Sequence, residues 1–593
     1  MKSNRILATA LSLTMAASVL PSAVFADEST TTLKTAYKDL NPRTEIYAVS
    51  ETAGWDYPNY GAMWEPNGGV LYGRTDHGGT LPGSTQYGMA NASENIDESI
   101  VSHYYGTNDM NSSYDLEYWS YIYGSTLNDG EHALLVYLNF DNEGSDCAAF
   151  TSGTYDARLT SDFSYLSTLS CPVFLRIGGE VNVWTNQASP ADFIAAYRHI
   201  ADLARTYAPN VALVFSPNYS SAHKVDMDSF YPGDAYVDWI GCSLYYNRYH
   251  HSLTGQDAFV GVGVYGDPML NVQQTVNLSN LHKKPIIITE GGSSNDYNGT
   301  DNSDWAAERM QKAYAFLPMV YPQIKAIVSS DYGMAWEATD YTFYDNSVVT
   351  AAYRKAIAAN PTYVSDYNDK GAYYTKLAAY PTKWEGTVEL AAYTYASDKL
   401  TCNWYIDGKW AGTATDYPYS FQVDTSTLAA GDHTVTVTFS NGATKSYPFQ
   451  VAVYTAMPTN DQLSVNGQVQ TPTIYKINDS NYFKIRDIAA LLSGSGKQFE
   501  VGYDAATGVT ITTGQAYTTT GTELTGSATG GNKNAFPSND KLYKNGQPLE
   551  LTVYKIDGSN YFKLRDLGQA LDFYVGYDPA TGVTISGDRG YEG

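Results

Sequence analysis

Two stretches decide the fold: Val173-Phe-Leu-Arg-Ile-Gly-Gly-Glu180 and Lys284-Pro-Ile-Ile-Ile-Thr-Glu-Gly-Gly292. Each is a short apolar run that leads into a glutamate beside glycine. Runs of this kind, without polar alternation, read as strands buried on both faces, the habit of a parallel sheet. Six more match them: Gly69–Tyr72, Ile100–Tyr104, Ala133–Phe140, Val211–Phe215, Val237–Ser243 and Ile324–Ser329. Amphipathic stretches such as Pro190–Tyr207 and Ser303–Leu317 lie between several of them. Eight strand-then-helix units predict a (β/α)8 barrel over residues 43–360. A doubly wound open sheet is the competing fold, but it usually needs fewer strands and a glycine-rich first turn.

The 593 residues carry 62 acidic against 36 basic side chains, a net charge of −26, and 53 tyrosines. Such an acidic surface repels phosphate, which argues against a nucleic-acid partner. Low charge content, 17%, beside abundant uncharged polar residues suits an exported protein that handles uncharged polar material. Lys2 and Arg5 precede the apolar stretch Ile6–Val19, and Val24-Phe-Ala26 ends on a small residue, so residues 1–26 read as a signal peptide. The apolar run falls short of the ~20 residues of a membrane span, and no membrane span is expected after cleavage. Four cysteines are too few for a disulfide scaffold and lack metal-ligand spacing. A Cys147–Cys171 bridge and four free thiols both fit. No metal and no cofactor are expected.

From 373 to 455 the helical pattern stops. Leu400–Ile406, Ser420–Val423 and His433–Phe439 alternate as half-buried strands, and the segment resembles bacterial immunoglobulin-like β-sandwich modules with Trp404 in the core, sugar-binding aromatics being the functional alternative. Beyond it, Tyr475-Lys-Ile-Asn-Asp-Ser-Asn-Tyr-Phe-Lys-Ile-Arg-Asp487 recurs 79 residues later as Tyr554-Lys-Ile-Asp-Gly-Ser-Asn-Tyr-Phe-Lys-Leu-Arg-Asp566. Val501-Gly-Tyr-Asp504 likewise recurs as Val575-Gly-Tyr-Asp578. The two copies resemble the N-terminal domain of copper amine oxidase as used in stalks of secreted bacterial proteins, where it carries no copper. They predict two small α+β stalk modules, 456–514 and 535–593, joined by a Thr- and Gly-rich linker at 515–534. A spacer role is favoured there over attachment to the bacterial cell wall or glycan binding.

In a (β/α)8 barrel the reactive groups stand at the C-terminal ends of the strands. Glu180 and Glu290 close the fourth and seventh predicted strands and face each other across the mouth. Cleavage of a glycosidic bond needs one carboxylic acid and one carboxylate. Arg176 shares a strand face with Glu180 by period two and is placed either to orient a carboxylate or to form a structural ion pair. Trp336, beyond the eighth strand, is a candidate to stack on a sugar ring, with Tyr104, Tyr105 and Tyr246 weaker candidates. Phosphate-loop, dinucleotide, zinc-protease and serine-elbow motifs are absent.

The runs Phe174-Leu-Arg-Ile-Gly-Gly-Glu-Val-Asn182 with Trp184, Tyr231-Pro-Gly-Asp-Ala-Tyr-Val-Asp-Trp-Ile-Gly241 and Lys284–Gly292 together resemble glycoside hydrolase family 26, mostly endo-β-1,4-mannanases. The resemblance implies Glu180 as acid/base, Glu290 as nucleophile, Asn182 and Trp184 lining the sugar sites, and Tyr245 hydrogen-bonded to the nucleophile. One departure is Gly179, where that family's mannanases usually have histidine. The expectation is a secreted or cell-surface retaining endo-glycosidase acting on a polysaccharide, with β-1,4-mannan first and mixed-linkage β-glucan or xylan next. A non-catalytic glycan-binding or cell-wall protein on a barrel scaffold is the alternative.

Overall fold

The computed structural model describes residues 43–592 apart from 52–56, 77–97, 111–115, 118–129, 185, 187, 220–226, 249–266, 332, 335–338, 343–345, 505–507, 525–530, 539 and 579–581. The predicted signal peptide and Trp336 lie outside the described residues. Eight parallel strands, Val70–Asp76, Ile100–Gly106, Ala133–Asn139, Val173–Ile177, Val211–Phe215, Trp239–Tyr246, Ile286–Ser293 and Ile324–Asp331, pair in chain order. The eighth then pairs with the first and closes a barrel. Each contains most of one run read from the sequence.

Both faces of these strands are buried, which is why their sequences are continuously apolar. Val173, Leu175 and Ile177 turn outward onto helices that include Asp156–Leu166 and Pro190–Tyr207. Phe174, Trp239, Ile287 and Val328 turn into the lumen. Residues 57–65 stopper the N-terminal end: Trp239 Nε1 donates to the Met63 carbonyl at 2.7 Å, Trp64 Nε1 to that of Asn210 at 2.6 Å, and Lys325 Nζ to that of Pro58 at 2.7 Å. The C-terminal end is therefore the face on which a site is built. All four cysteines are buried free thiols, so Cys147 and Cys171 are not bridged.

The second domain is a two-sheet sandwich, but it does not begin at 373. Glu45–Ser50, from before the barrel, is an inner strand of its four-stranded sheet, between Tyr373–Lys376 and Thr387–Tyr393. The five-stranded sheet runs Lys383–Trp384, Thr444–Val451, Gly431–Phe439, Cys402–Ile406, Lys409–Ala414. Trp404 lies between the sheets, fully buried. A polar contact fastens the sandwich to the barrel: the buried Asp267 carboxylate accepts from Tyr393 Oη at 2.9 Å and pairs with Lys312 Nζ at 3.4 Å.

The two C-terminal repeats are not separate modules in series. Tyr454–Pro458, Ile474–Ile477 and Ser480–Lys484, and Lys533–Ser538, Val553–Ile556 and Ser559–Lys563, form one closed six-stranded barrel. Strands Leu463–Val465 and Gly582–Ser586 pair across copies, as do Gly508–Thr513 and Leu542–Lys544. Each copy alone would leave open sheet edges, and the exchange pairs them. The expected linker contributes too: Tyr517 is buried against the shared core, and Lys533 and Asn534 already belong to a strand. Phe483 and Phe562 face each other at the seam, both buried. Phe562→Ala is expected to cost about 3–5 kcal/mol and to melt both copies in one calorimetric transition rather than its own copy alone.

Candidate active site

Glu290 reaches the lumen through a β-bulge. Ile287 points inward, and Thr289 Oγ1 meets Ser216 Oγ inside the barrel at 2.8 Å. Strict alternation would turn Glu290 outward. Instead the pairing of the sixth and seventh strands slips by one residue: Cys242 faces Ile288, but Ser243 faces Glu290. Thr289 is the extra residue, and Glu290 is re-aimed inward. Gly291 must follow, because a Cβ there would stand 2.0 Å from the Leu244 carbonyl oxygen.

Three donors converge on the buried Glu290 carboxylate. Arg176 Nη2 donates at 2.8 Å, Ser243 Oγ at 2.8 Å and Tyr104 Oη at 2.7 Å. Arg176 Nη2 also donates to Ser243 Oγ at 3.0 Å. Tyr104 stacks on Tyr137 at 4.1 Å between centroids, the Arg176 guanidinium lies over that same ring, and Tyr137 Oη donates to the Thr289 carbonyl. Arg176 accounts for Gly179 as well. A Cβ at position 179 would stand 2.1 Å from the guanidinium carbon, so a side chain there would push the guanidinium from its present place.

Glu180 sits past the end of the fourth strand in a left-handed conformation, φ 61°, uncommon for a residue with a side chain. Its amide donates to the Ser216 carbonyl at 2.9 Å, and its Oε1 accepts from Asn218 Nδ2 at 2.7 Å. Asn182 clamps that asparagine from both sides: its Nδ2 donates to the Asn218 carbonyl at 3.0 Å, and its Oδ1 accepts from the Asn218 amide at 2.8 Å.

The two carboxyls are pushed apart. Burial, then the negative charge of Glu290, raise Glu180 to about 7 against the opposing pull of Arg176, Asn218 and Ser243. Burial also acts to raise Glu290, but the Arg176 charge with the hydrogen bonds from Tyr104, Ser243 and Arg176 outweighs it, and Glu290 is lowered. At neutral pH the site thus holds a carboxylate beside a carboxyl that still carries much of its proton.

Arg176, Glu180 and Glu290 come together at the barrel mouth, and Arg176 both pairs with the Glu290 carboxylate and orients it. Asn182 acts on Asn218 rather than lining a cleft. Trp184 is buried between Phe140 and Phe193, its Nε1 donating to the Gly179 carbonyl at 2.9 Å, which removes it as a sugar platform. Tyr245 Oη pairs with Ser330 Oγ at 2.9 Å, and the phenol that donates to Glu290 is Tyr104. Ser243 and Asn218 were not anticipated. Ser243 shares the inward face of its strand with Tyr245, and alternation alone would have found it. Among the described residues no group of three or more His, Cys, Asp or Glu could hold a metal ion.

A family profile described as a bacterial Ig domain matches residues 385–437. A β-1,3-xylanase of a Vibrio species is 28% identical over 116 residues, 19% of this chain and 25% of that protein. Another, of an Alcaligenes species, is 27% identical over 116 residues, 19% of this chain and 24% of that protein. The chain thus spans about a quarter of the length of these curated relatives. Among solved structures, a modular endo-β-1,4-mannanase from Cellulomonas fimi aligns with 68% of this chain and 99% of its own at 15% identity and a TM-score of 0.38. The catalytic domain of a Bacillus sp. JAMB-750 endo-β-1,4-mannanase aligns with 55% and 96%, at 15% identity and 0.39. At such scores the barrel rests on its own strand order, not on the overlays.

Asn218→Ala removes a donor that favours the ionised form of Glu180. Its titration, followed by infrared difference spectra of the carboxyl stretch, is expected to move above about 7. Asn182→Ala should move it the same way, because the clamp is lost.

Proposed function

We propose that the barrel hydrolyses a β-linked polysaccharide with retention of anomeric configuration, Glu290 acting as nucleophile and Glu180 as acid/base. What supports this reading is the setting of two glutamates at the barrel mouth: Arg176, Ser243 and Tyr104 all donate to Glu290, which is lowered, whereas Glu180, buried beside that anion and held by Asn218, is raised to about 7. The resemblance of the two glutamate-bearing segments to glycoside hydrolase family 26 points to direct attack by one carboxylate rather than to an interposed water.

Glu290 attacks the anomeric carbon as the bond to the leaving oxygen breaks, and the Glu180 proton passes to that oxygen. Glu180, now a carboxylate, takes a proton from water. The water oxygen attacks the anomeric carbon, and Glu290 is released. Arg176, Ser243 and Tyr104 hold Glu290 ionised and aimed throughout.

The substrate we favour is β-1,4-mannan, cut internally, with mixed-linkage β-glucan and xylan next. Glycine at 179 in place of the usual histidine weakens the case for mannan, and the similarity to β-1,3-xylanases keeps xylan on the panel. The leader at 1–26 would export the chain, and the paired C-terminal repeats would hold the barrel near a cell surface.

Proton NMR of the products from mannan, glucomannan, mixed-linkage glucan and β-1,3- and β-1,4-xylan tests the reaction. The first-formed reducing end is expected to keep the β configuration. Glu180→Ala and Glu290→Ala should each lower turnover by about 10²–10⁴-fold or more. The rate should rise with pH as Glu290 ionises and fall above about 7 as Glu180 loses its proton. An inverted product, or full activity in either variant, overturns the assignment.

A further inference from the structure

The sandwich carries an outward sheet face that neither the barrel nor its chemistry uses. Trp410, on the edge strand Lys409–Ala414, is 65% exposed, whereas Trp404 on the neighbouring strand is buried. What separates Trp410 from a stray exposed apolar residue is the row in which it stands. Across the sheet it faces Tyr405, which faces Thr436, which faces Ser446. The next row begins with Thr413 facing Asn403, joined at 2.6 Å. Thr436 and Ser446 hydroxyls meet at 2.8 Å. Every one of these groups keeps further donor or acceptor capacity.

The indole is held for presentation. Its Nε1 donates to Thr413 Oγ1 at 3.3 Å, and the strand pairing slips between Trp404 and Tyr405, so that Trp404 faces Gly412 while Tyr405 faces Trp410. Such a bulge sets the direction of a side chain. The row spans four strands, about 14 Å at the usual strand spacing. It holds aromatic rings at one end and hydroxyls at the other, and none of the six side chains is acidic or basic. In a chain of net charge −26, an uncharged strip is matched to an uncharged partner. A pyranose chain has that character: apolar ring faces that cover an indole, and hydroxyl edges that exchange hydrogen bonds with Thr, Ser and Asn.

We propose that this face binds a neutral polysaccharide chain, with Trp410 as the stacking platform, and so holds the polymer independently of the barrel cleft. The test is retention of the full chain on insoluble mannan, β-1,3-xylan and cellulose, with affinity electrophoresis on soluble mannan and mixed-linkage glucan. All binding is measured in a Glu290→Gln background so that the polymer is not consumed. Trp410→Ala is expected to weaken retention on at least one polymer by five-fold or more, with Trp410→Phe intermediate and circular dichroism unchanged. With Glu290 restored, Trp410→Ala should cleave short soluble oligosaccharides as the parent does and insoluble polymer more slowly. Equal retention of parent and Trp410→Ala on every polymer overturns the proposal, as does retention by neither. Because retention is read without turnover, failure of hydrolysis leaves it intact, and the two proposals fail separately.

Discussion

The Arg176 guanidinium is the constraint on which the site depends. It is buried, it donates to Glu290 and to Ser243, and a side chain at position 179 would have to displace it. A buried ion pair of this kind contributes little net stability, since desolvation of both charges offsets their attraction. Its effect is on protonation. With Arg176 beside it Glu290 is lowered, whereas burial and then the charge of Glu290 raise Glu180 against the pull of Arg176. Burial and one unevenly shared cation thus set two chemically identical side chains in opposite states.

Most of the barrel was legible in the sequence because its signal is local. A strand buried on both faces must be apolar throughout, and eight such runs stand out against their helices. Glu180 and Glu290 were legible for the same reason, each following a run that a barrel directs to its mouth. What could not be read is whatever depends on register. Alternation turns Glu290 outward, and only the slip between Cys242 and Ser243 brings it in. Tyr104, from the second strand, and Tyr245, from the sixth, are equally plausible donors by position, and the choice between them is made by side-chain packing that no single segment records. Trp184 was misread because a tryptophan near a catalytic acid looks like a sugar platform, whereas its contacts with Phe140 and Phe193 are those of a core residue.

Domain limits failed for a related reason. Glu45–Ser50 precedes the barrel in sequence yet completes the sandwich that follows it, and the two repeats share one six-stranded barrel. Strand exchange over such distances leaves no local trace. Its physical consequence is cooperativity. The barrel cannot shed the sandwich without exposing an inner strand position, and Asp267 with Tyr393 and Lys312 adds a buried polar contact that costs free energy if only one side is removed. The chain is therefore better described as a barrel clasped by its own second domain than as a string of beads.

Glu180 is held in an arrangement that costs stability. Glu180 is held at φ 61° and retains a proton well above the range of a free carboxyl. Between the ordinary value of 4.5 and about 7, the folded state binds more protons than the unfolded one, so this group's contribution to stability falls as pH rises through that window. The Asn182 clamp explains how so unfavourable an arrangement persists. It fixes Asn218 by its backbone amide and carbonyl together, and Asn218 holds Glu180 Oε1. Strain, burial and like charge all act against Glu180, and a rigid amide pair confines it to the orientation in which its proton can be used.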